Sequence, residues 1–122
     1  TLQQELVTFK EKNLLKKFQG DRIQLNTNVI LKSNEIKFVK SDGHYIEYHL
    51  DNKTKPEIDR NRLSQAYEDL PNSQFARIHK SYIVNLNFIK IINSTKLMLN
   101  DGTWLNLSRT YKTDLKERLY NK

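Results

Sequence analysis

Arginine, histidine, lysine, serine and tyrosine crowd into residues 75–85, Phe-Ala-Arg-Ile-His-Lys-Ser-Tyr-Ile-Val-Asn. Arg77 and Lys80 can donate to phosphate oxygens or base edges, and Ser81 and Tyr82 add hydroxyls suited to the same acceptors. Phe75, Ile78, Tyr82 and Val84 supply the apolar side chains that would anchor such a segment in a core. Basic and apolar residues alternate in any half-exposed strand, so the segment alone does not separate a ligand-binding strand from a solvated one. His79, between apolar neighbours, reads as a partly buried supporting imidazole, and Asn85 as a residue that bonds backbone at a turn or helix end.

Two distant residues have related chemistry. His44 follows Ser41-Asp-Gly43 at the mouth of a hairpin, close to Lys40. Arg109 sits between a strand pattern and a helix pattern. Helix N-terminal amides there favour phosphate, and a guanidinium matches guanine O6 and N7 bidentately. A salt bridge to Asp114 or another acid is the competing use of that charge.

Catalytic chemistry finds little support. His44, His49 and His79 show no metal-ligand spacing with carboxylates, and the lack of cysteine excludes thiolate zinc sites and disulfides. No Gly-x-Ser-x-Gly elbow exists, and three glycines in the whole chain leave no phosphate-cradling loop. The expectation is a binding protein, not an enzyme, with no cofactor and no metal.

The 122 residues carry a formal net charge of +7, which favours a polyanionic partner. Residues 75–122 hold nine Lys or Arg against three acids, so most of the excess lies in that part of the chain. A hydrophobic share of 37% with twelve aromatics can close a small core. No apolar run approaches a membrane span, no signal peptide is visible, and the composition suits the cytoplasm.

The elements that must position these residues are short. Leu2, Leu6, Phe9, Leu14, Leu15 and Phe18 predict an amphipathic linker helix over residues 1–20, ended by Gly20-Asp21. The domain proper spans 21–122. Strand patterns cover 22–25, 29–32, 35–40 and 45–50, and Pro56 confines the 54–58 run to a sheet edge. A helix from Asn61 or Arg62 buries Leu63, Tyr67 and Leu70 and stops at Pro71. Strands follow over 75–85 and 88–92. Asp101-Gly102 then joins 97–100 and 103–107 in a hairpin, and a last helix covers 111–120. The fold expected is mainly β, with several small antiparallel sheets, short helices and an N-terminal helical arm.

The order of motifs resembles the LytTR DNA-binding domain of bacterial response regulators. The Ser-Asp-Gly-His-Tyr turn precedes Arg60-Asn-Arg-Leu63, the 75–85 block, an Asp-Gly hairpin and Leu107-Ser-Arg-Thr-Tyr111. The likeness covers about residues 22–119. It implies a compact, elongated fold of three small β-sheets whose loops enter successive major grooves of double-stranded DNA. The base-reading positions it implies are His44, Lys80 and Arg109. Arg77 is implied as a phosphate contact, with Lys40, Ser81 and Lys112 nearby in sequence as further contacts. It also implies paired binding on repeated half-sites, with the arm helping two copies together, and an upstream receiver or sensor module. The alternative is a basic module that docks acidic proteins or anionic surfaces and binds nucleic acid without specificity. RNA binding is a weaker reading, because most Tyr and Phe residues alternate into core positions.

Overall fold

The computed structural model describes residues 22–120; the expected 1–20 helix lies outside them. Among the described residues, ten strands form three antiparallel sheets. The two-stranded sheet pairs β1 (Arg22–Gln24) with β2 (Ile30–Lys32). The central sheet has five strands in the order β5-β4-β3-β7-β6. These are β3 (Ile36–Asp42), β4 (Tyr45–Leu50), β5 (Glu57–Arg60), β6 (Phe75–His79) and β7 (Tyr82–Asn85). The third sheet is ordered β10-β9-β8, from β8 (Ile89–Ile92), β9 (Lys96–Leu99) and β10 (Trp104–Asn106). Helix α1 (Leu63–Asp69) follows β5 and helix α2 (Arg109–Tyr120) closes the described chain. None of the described helices is long and apolar enough to cross a membrane.

Most expected elements are present, and the mainly β fold of small antiparallel sheets is the one observed. Several boundaries differ, and two are instructive. Pro56 precedes β5 instead of lying within it, which suits a residue with no N–H to give a ladder. Helix α2 begins at Arg109, two residues before the position periodicity suggests, because its first turn buries no apolar residue. The 75–85 block is a hairpin, β6 and β7 around Lys80-Ser81.

The central sheet is covered on both faces, which a half-exposed strand pattern does not anticipate. One face sends Val39, Ile46, Tyr48, Leu50, Phe75 and Ile83 against β1, β2 and α1, where Ile23, Leu31, Leu63 and Ala66 meet them. The other sends Phe38, Ala76, Ile78 and Val84 against the three-stranded sheet and α2, onto Leu97, Leu99, Leu105 and Leu115. Ile83 and Val84 are therefore both fully buried, as in sheets with two covered faces. Burial, with the nearby Asp59 and Asp69 carboxylates, pushes the Tyr48 phenol above its ordinary pKa, so it remains protonated.

Two register shifts in the central sheet adapt its strands to these layers. Ile36 pairs with Leu50 and Phe38 with His49, leaving Lys37 as the extra residue of a bulge. The shift lets Ile36 and Val39 share one core while Phe38 enters the other, where its ring stacks on His49 with centroids 4.3 Å apart. A second shift, between Arg77 and His79 of β6, leaves Ile78 outside the pairing with β7.

Candidate nucleic-acid interface

The antiparallel register brings two turns, β3–β4 and β6–β7, and the end of β5 to one end of the central sheet. Asp42 pairs with Tyr45 across a two-residue Gly43-His44 turn, and Tyr45 pairs in turn with Arg60 at the end of β5. Gly43 adopts φ +63°, a left-handed conformation that only glycine takes without cost. Its neighbour His44 is thereby held fully outside the sheet, exposed at the tip.

On the other side, Lys40 pairs with Tyr82, and the Ser41 N–H donates to the Ser81 carbonyl at 2.9 Å. The β3–β4 and β6–β7 turns are thus bonded to each other. Within the second turn the Ser81 N–H donates to His79 Nδ1 at 3.1 Å, and the imidazole lies 5.7 Å from the Tyr82 ring. His79 accordingly supports the turn, as its apolar surroundings suggested. Lys80 is exposed at the turn's tip, and Ser81 is half-buried.

A further segment arrives from α2. Ile78, left unpaired by the bulge, accepts a 2.7 Å hydrogen bond from the Ser108 N–H. This fixes the residue before Arg109 against β6, and the Arg109 side chain is exposed. Arg77 joins the same region. Its Nε donates to the His79 carbonyl at 3.3 Å, its Nη2 to the Lys80 carbonyl at 3.1 Å, and its guanidinium carbon lies 5.6 Å from the centre of the Tyr111 ring. Lys112 is half-buried in the first turn of α2, and Lys40 is exposed on β3.

An open depression of about 780 Å³ occupies part of this end, with Ser41, His44, Lys80, Arg60 and Arg62 on its walls. It brings His44 and Lys80 to one cavity. Arg109 is not among its lining residues and belongs to the flank beyond β6. In the sequence Arg60 and Arg62 belong only to a helix-start motif. The signal that locates them is the β4–β5 register, which sets Arg60 beside Tyr45.

Among the described residues no ion pair engages the cations of this end, although Asp42 stands beside the Gly43-His44 turn and Glu47 opposite Lys40. The salt bridges of the described residues are Lys37–Asp101, His49–Glu47 and Lys53–Glu57. None involves Lys40, Arg60, Arg62, Lys80 or Arg109, and Asp114 does not pair with Arg109. No group of His, Asp and Glu among the described residues could hold a metal ion. Five strands at a spacing of about 4.8 Å set β5 and β6 about 19 Å apart.

The LytTr DNA-binding domain profile matches residues 26–120. Sensory transduction protein LytT of Bacillus subtilis (strain 168) is 45% identical over 56 residues, covering 42% of this chain and 23% of that protein. LytT of Bacillus anthracis is 42% identical over 55 residues, covering 41% and 22% respectively. The matched segment thus spans less than a quarter of these curated relatives. Among solved structures, a LytTr DNA-binding domain of a response regulator from Bacillus cereus superposes with a TM-score of 0.69 at 22% identity. That match covers 83% of this chain and 98% of the other, and at such identity it bears on the fold alone.

Proposed function

Because the chain belongs to the LytTR DNA-binding domain family, we propose that it binds double-stranded DNA sequence-specifically, as the output domain of a response-regulator-type transcription factor in the bacterial cytoplasm. The observation that carries this is the gathering of His44, Lys80 and Arg109 onto one end of the central sheet, exposed and without carboxylate partners. His44, Lys80 and Arg109 are assigned to base edges. Arg60, Arg62, Lys40 and Lys112 are assigned to backbone phosphates, with Ser81 as a hydroxyl donor at the turn. Phosphate contacts would supply most of the affinity and its salt dependence, and base contacts the specificity.

Two copies would occupy repeated half-sites, with residues 1–20 assisting their approach and a receiver or sensor module acting upstream. Single-stranded or RNA targets need aromatic platforms for splayed bases. Trp104 is exposed, but on the outer side of the three-stranded sheet, where Lys96 Nζ lies 5.4 Å from its ring centre. At the basic row, Tyr45 is the one exposed aromatic among the described residues.

The test is selection of bound duplexes from a random library. A gel-shift competition then sets the recovered duplex against random duplex, single strands and RNA at one salt concentration. The selected duplex should compete best by a wide margin. Equal competition by random duplex, vanishing near physiological salt, would overturn the proposal in favour of a general anionic-surface module.

A further inference from the structure

Arg77 has the charge of a phosphate contact but not the freedom of one. Its guanidinium donates to two successive carbonyls of the β6–β7 turn, those of His79 and Lys80, and rests on the Tyr111 ring of α2. Those contacts join two segments that carry different reading residues. Lys80 is at the tip of the turn whose carbonyls Arg77 holds. Arg109 lies one helical half-turn before Tyr111, and its predecessor Ser108 is bonded to Ile78, next to Arg77 in β6.

We propose that Arg77 is a positioning residue that sets the distance and orientation between Lys80 and Arg109, and so fixes which two base steps are read together. This rests on the DNA-binding proposal above. Three features favour the joint over a phosphate contact. The side chain is half-buried, whereas Lys80 and Arg109 are exposed. Two of its donors, Nε and Nη2, are directed along the chain's own turn. And the β6 bulge frees the Ile78 carbonyl for Ser108, so Arg77, Ile78, Ser108 and Tyr111 together join the turn to the helix start. A guanidinium suits the position because its fixed planar fork can serve two carbonyls while its face lies on a ring. An ammonium can donate to a carbonyl and approach a ring, but it lacks the flat fork that matches both at this spacing.

Arg77→Lys is therefore the discriminating variant, with Arg77→Ala, Tyr111→Leu and Tyr111→Phe beside it. The probes are the best-bound duplex selected by the parent chain, that duplex with single base changes, and a random duplex. If Arg77 is the joint, Arg77→Lys and Arg77→Ala should each bind the selected duplex about tenfold more weakly, the size of one lost base-pair preference. Random-duplex affinity and the salt slope should stay near the parent's. Tyr111→Leu should reproduce part of that loss and Tyr111→Phe none, since a phenyl ring keeps the face that Arg77 covers.

A phosphate contact gives the opposite pattern. Lysine would restore binding, and alanine would weaken all duplexes alike with the salt slope falling by about 0.9. Either result would overturn the joint. A readout without DNA separates this proposal from the one it rests on. In Arg77→Lys, amide resonances of Lys80, Ser81 and Arg109 should shift, and unchanged resonances would sink the joint even if the parent binds DNA as expected. A parent chain that fails to discriminate duplexes would sink the DNA reading instead. Should Arg77→Ala lose its folded melting transition, Arg77→Lys and Tyr111→Leu still decide the matter.

Discussion

Asn85 and Lys80 belong to one hairpin and stand at its opposite ends, and the chain treats them oppositely. Asn85 is fully buried. Its Nδ2 donates to the Ile36 carbonyl at 2.9 Å and to that of Ser33 at 3.4 Å, and its Oδ1 accepts from the Asn87 N–H at 3.0 Å. Around it, Gln74 bonds Ser33, and the Arg118 guanidinium donates to the carbonyls of Phe75 and Asn72. At this end of the central sheet, polar groups close the gaps where three-residue 3₁₀ turns enter and leave the strands. At the Lys80 end, cations project from turns and lack acidic partners. A cation held in solvent without a carboxylate loses little on meeting a phosphate, whereas a buried amide already bonded in three directions has nothing left to offer a ligand. The difference assigns stability to one end and recognition to the other.

The strongest way to break that division is Asn85→Leu. Leucine fits the volume but leaves the Ile36 and Ser33 carbonyls and the Asn87 N–H without their partner. A buried unsatisfied group costs about 1–3 kcal/mol, so a loss of about 3 kcal/mol in urea unfolding is expected. Base preference of the surviving folded fraction should match the parent's. Altered preference would mean that the two ends are not independent.

Next in size is Arg109→Ala. One bidentate guanidinium–guanine contact is worth about 1–3 kcal/mol of discrimination, so the selected duplex should bind about 2 kcal/mol more weakly. The melting temperature should not move, because the side chain is exposed and unpaired among the described residues. His44→Ala should act in the same direction with a smaller loss. If both variants bound as tightly as the parent in an anisotropy titration, the site would lie elsewhere.

Much of this division is legible in the sequence, and the missing parts share a cause. Asp101-Gly102 announces its hairpin because glycine alone takes φ +91° readily, and the Ser41-Asp-Gly43 turn does so for the same reason. Asn85 and His79 take the supporting roles their types and neighbours suggest. By contrast, no residue pattern marks the bulges at Lys37 and Ile78. Each is a choice of pairing between distant strands, and strict alternation would have sent Ile36 and Val39 to opposite faces. The place of Arg60 and Arg62 beside the turns is not legible from their helix-start motif, because it depends on the register between β4 and β5, a non-local property. Helix α1 likewise buries Ala66, a residue too small to stand out in an apolar pattern.

Those two arginines offer a sharper probe of the recognition end. If the depression they line receives backbone phosphates, Arg60→Ala/Arg62→Ala should reduce the slope of log K against log salt by about 1.8, at about 0.9 per phosphate. Cognate and random duplexes should weaken alike, by about 1 kcal/mol near physiological salt. Loss confined to the cognate duplex would instead make the arginines base readers. Lys112→Ala should give half that change in slope, since it removes one contact.

The smallest expected effect belongs to the stability end and is set by pH. Lys37, the extra residue of the β3 bulge, places Nζ 2.6 Å from Asp101 Oδ2 in the β9–β10 turn, tying the central sheet to the three-stranded one. The Lys37 bond, with Thr103 donating to the same carboxylate, lowers the Asp101 pKa from 3.8 to about 2. A carboxylate whose folded pKa is depressed contributes its stability above the unfolded value and loses it as pH falls through the folded one. The contribution should therefore be complete above about pH 4 and disappear towards pH 2. With 38% of the Asp101 side chain exposed, solvent screening limits it to about 0.5 kcal/mol. Urea unfolding of the parent and Asp101→Asn should accordingly differ by that small amount at pH 6 and converge near pH 2. DNA affinity at pH 6 should be the same for both, because the pair lies at the end of the sheet away from Lys80. A weaker complex for Asp101→Asn would join the two ends of the sheet after all.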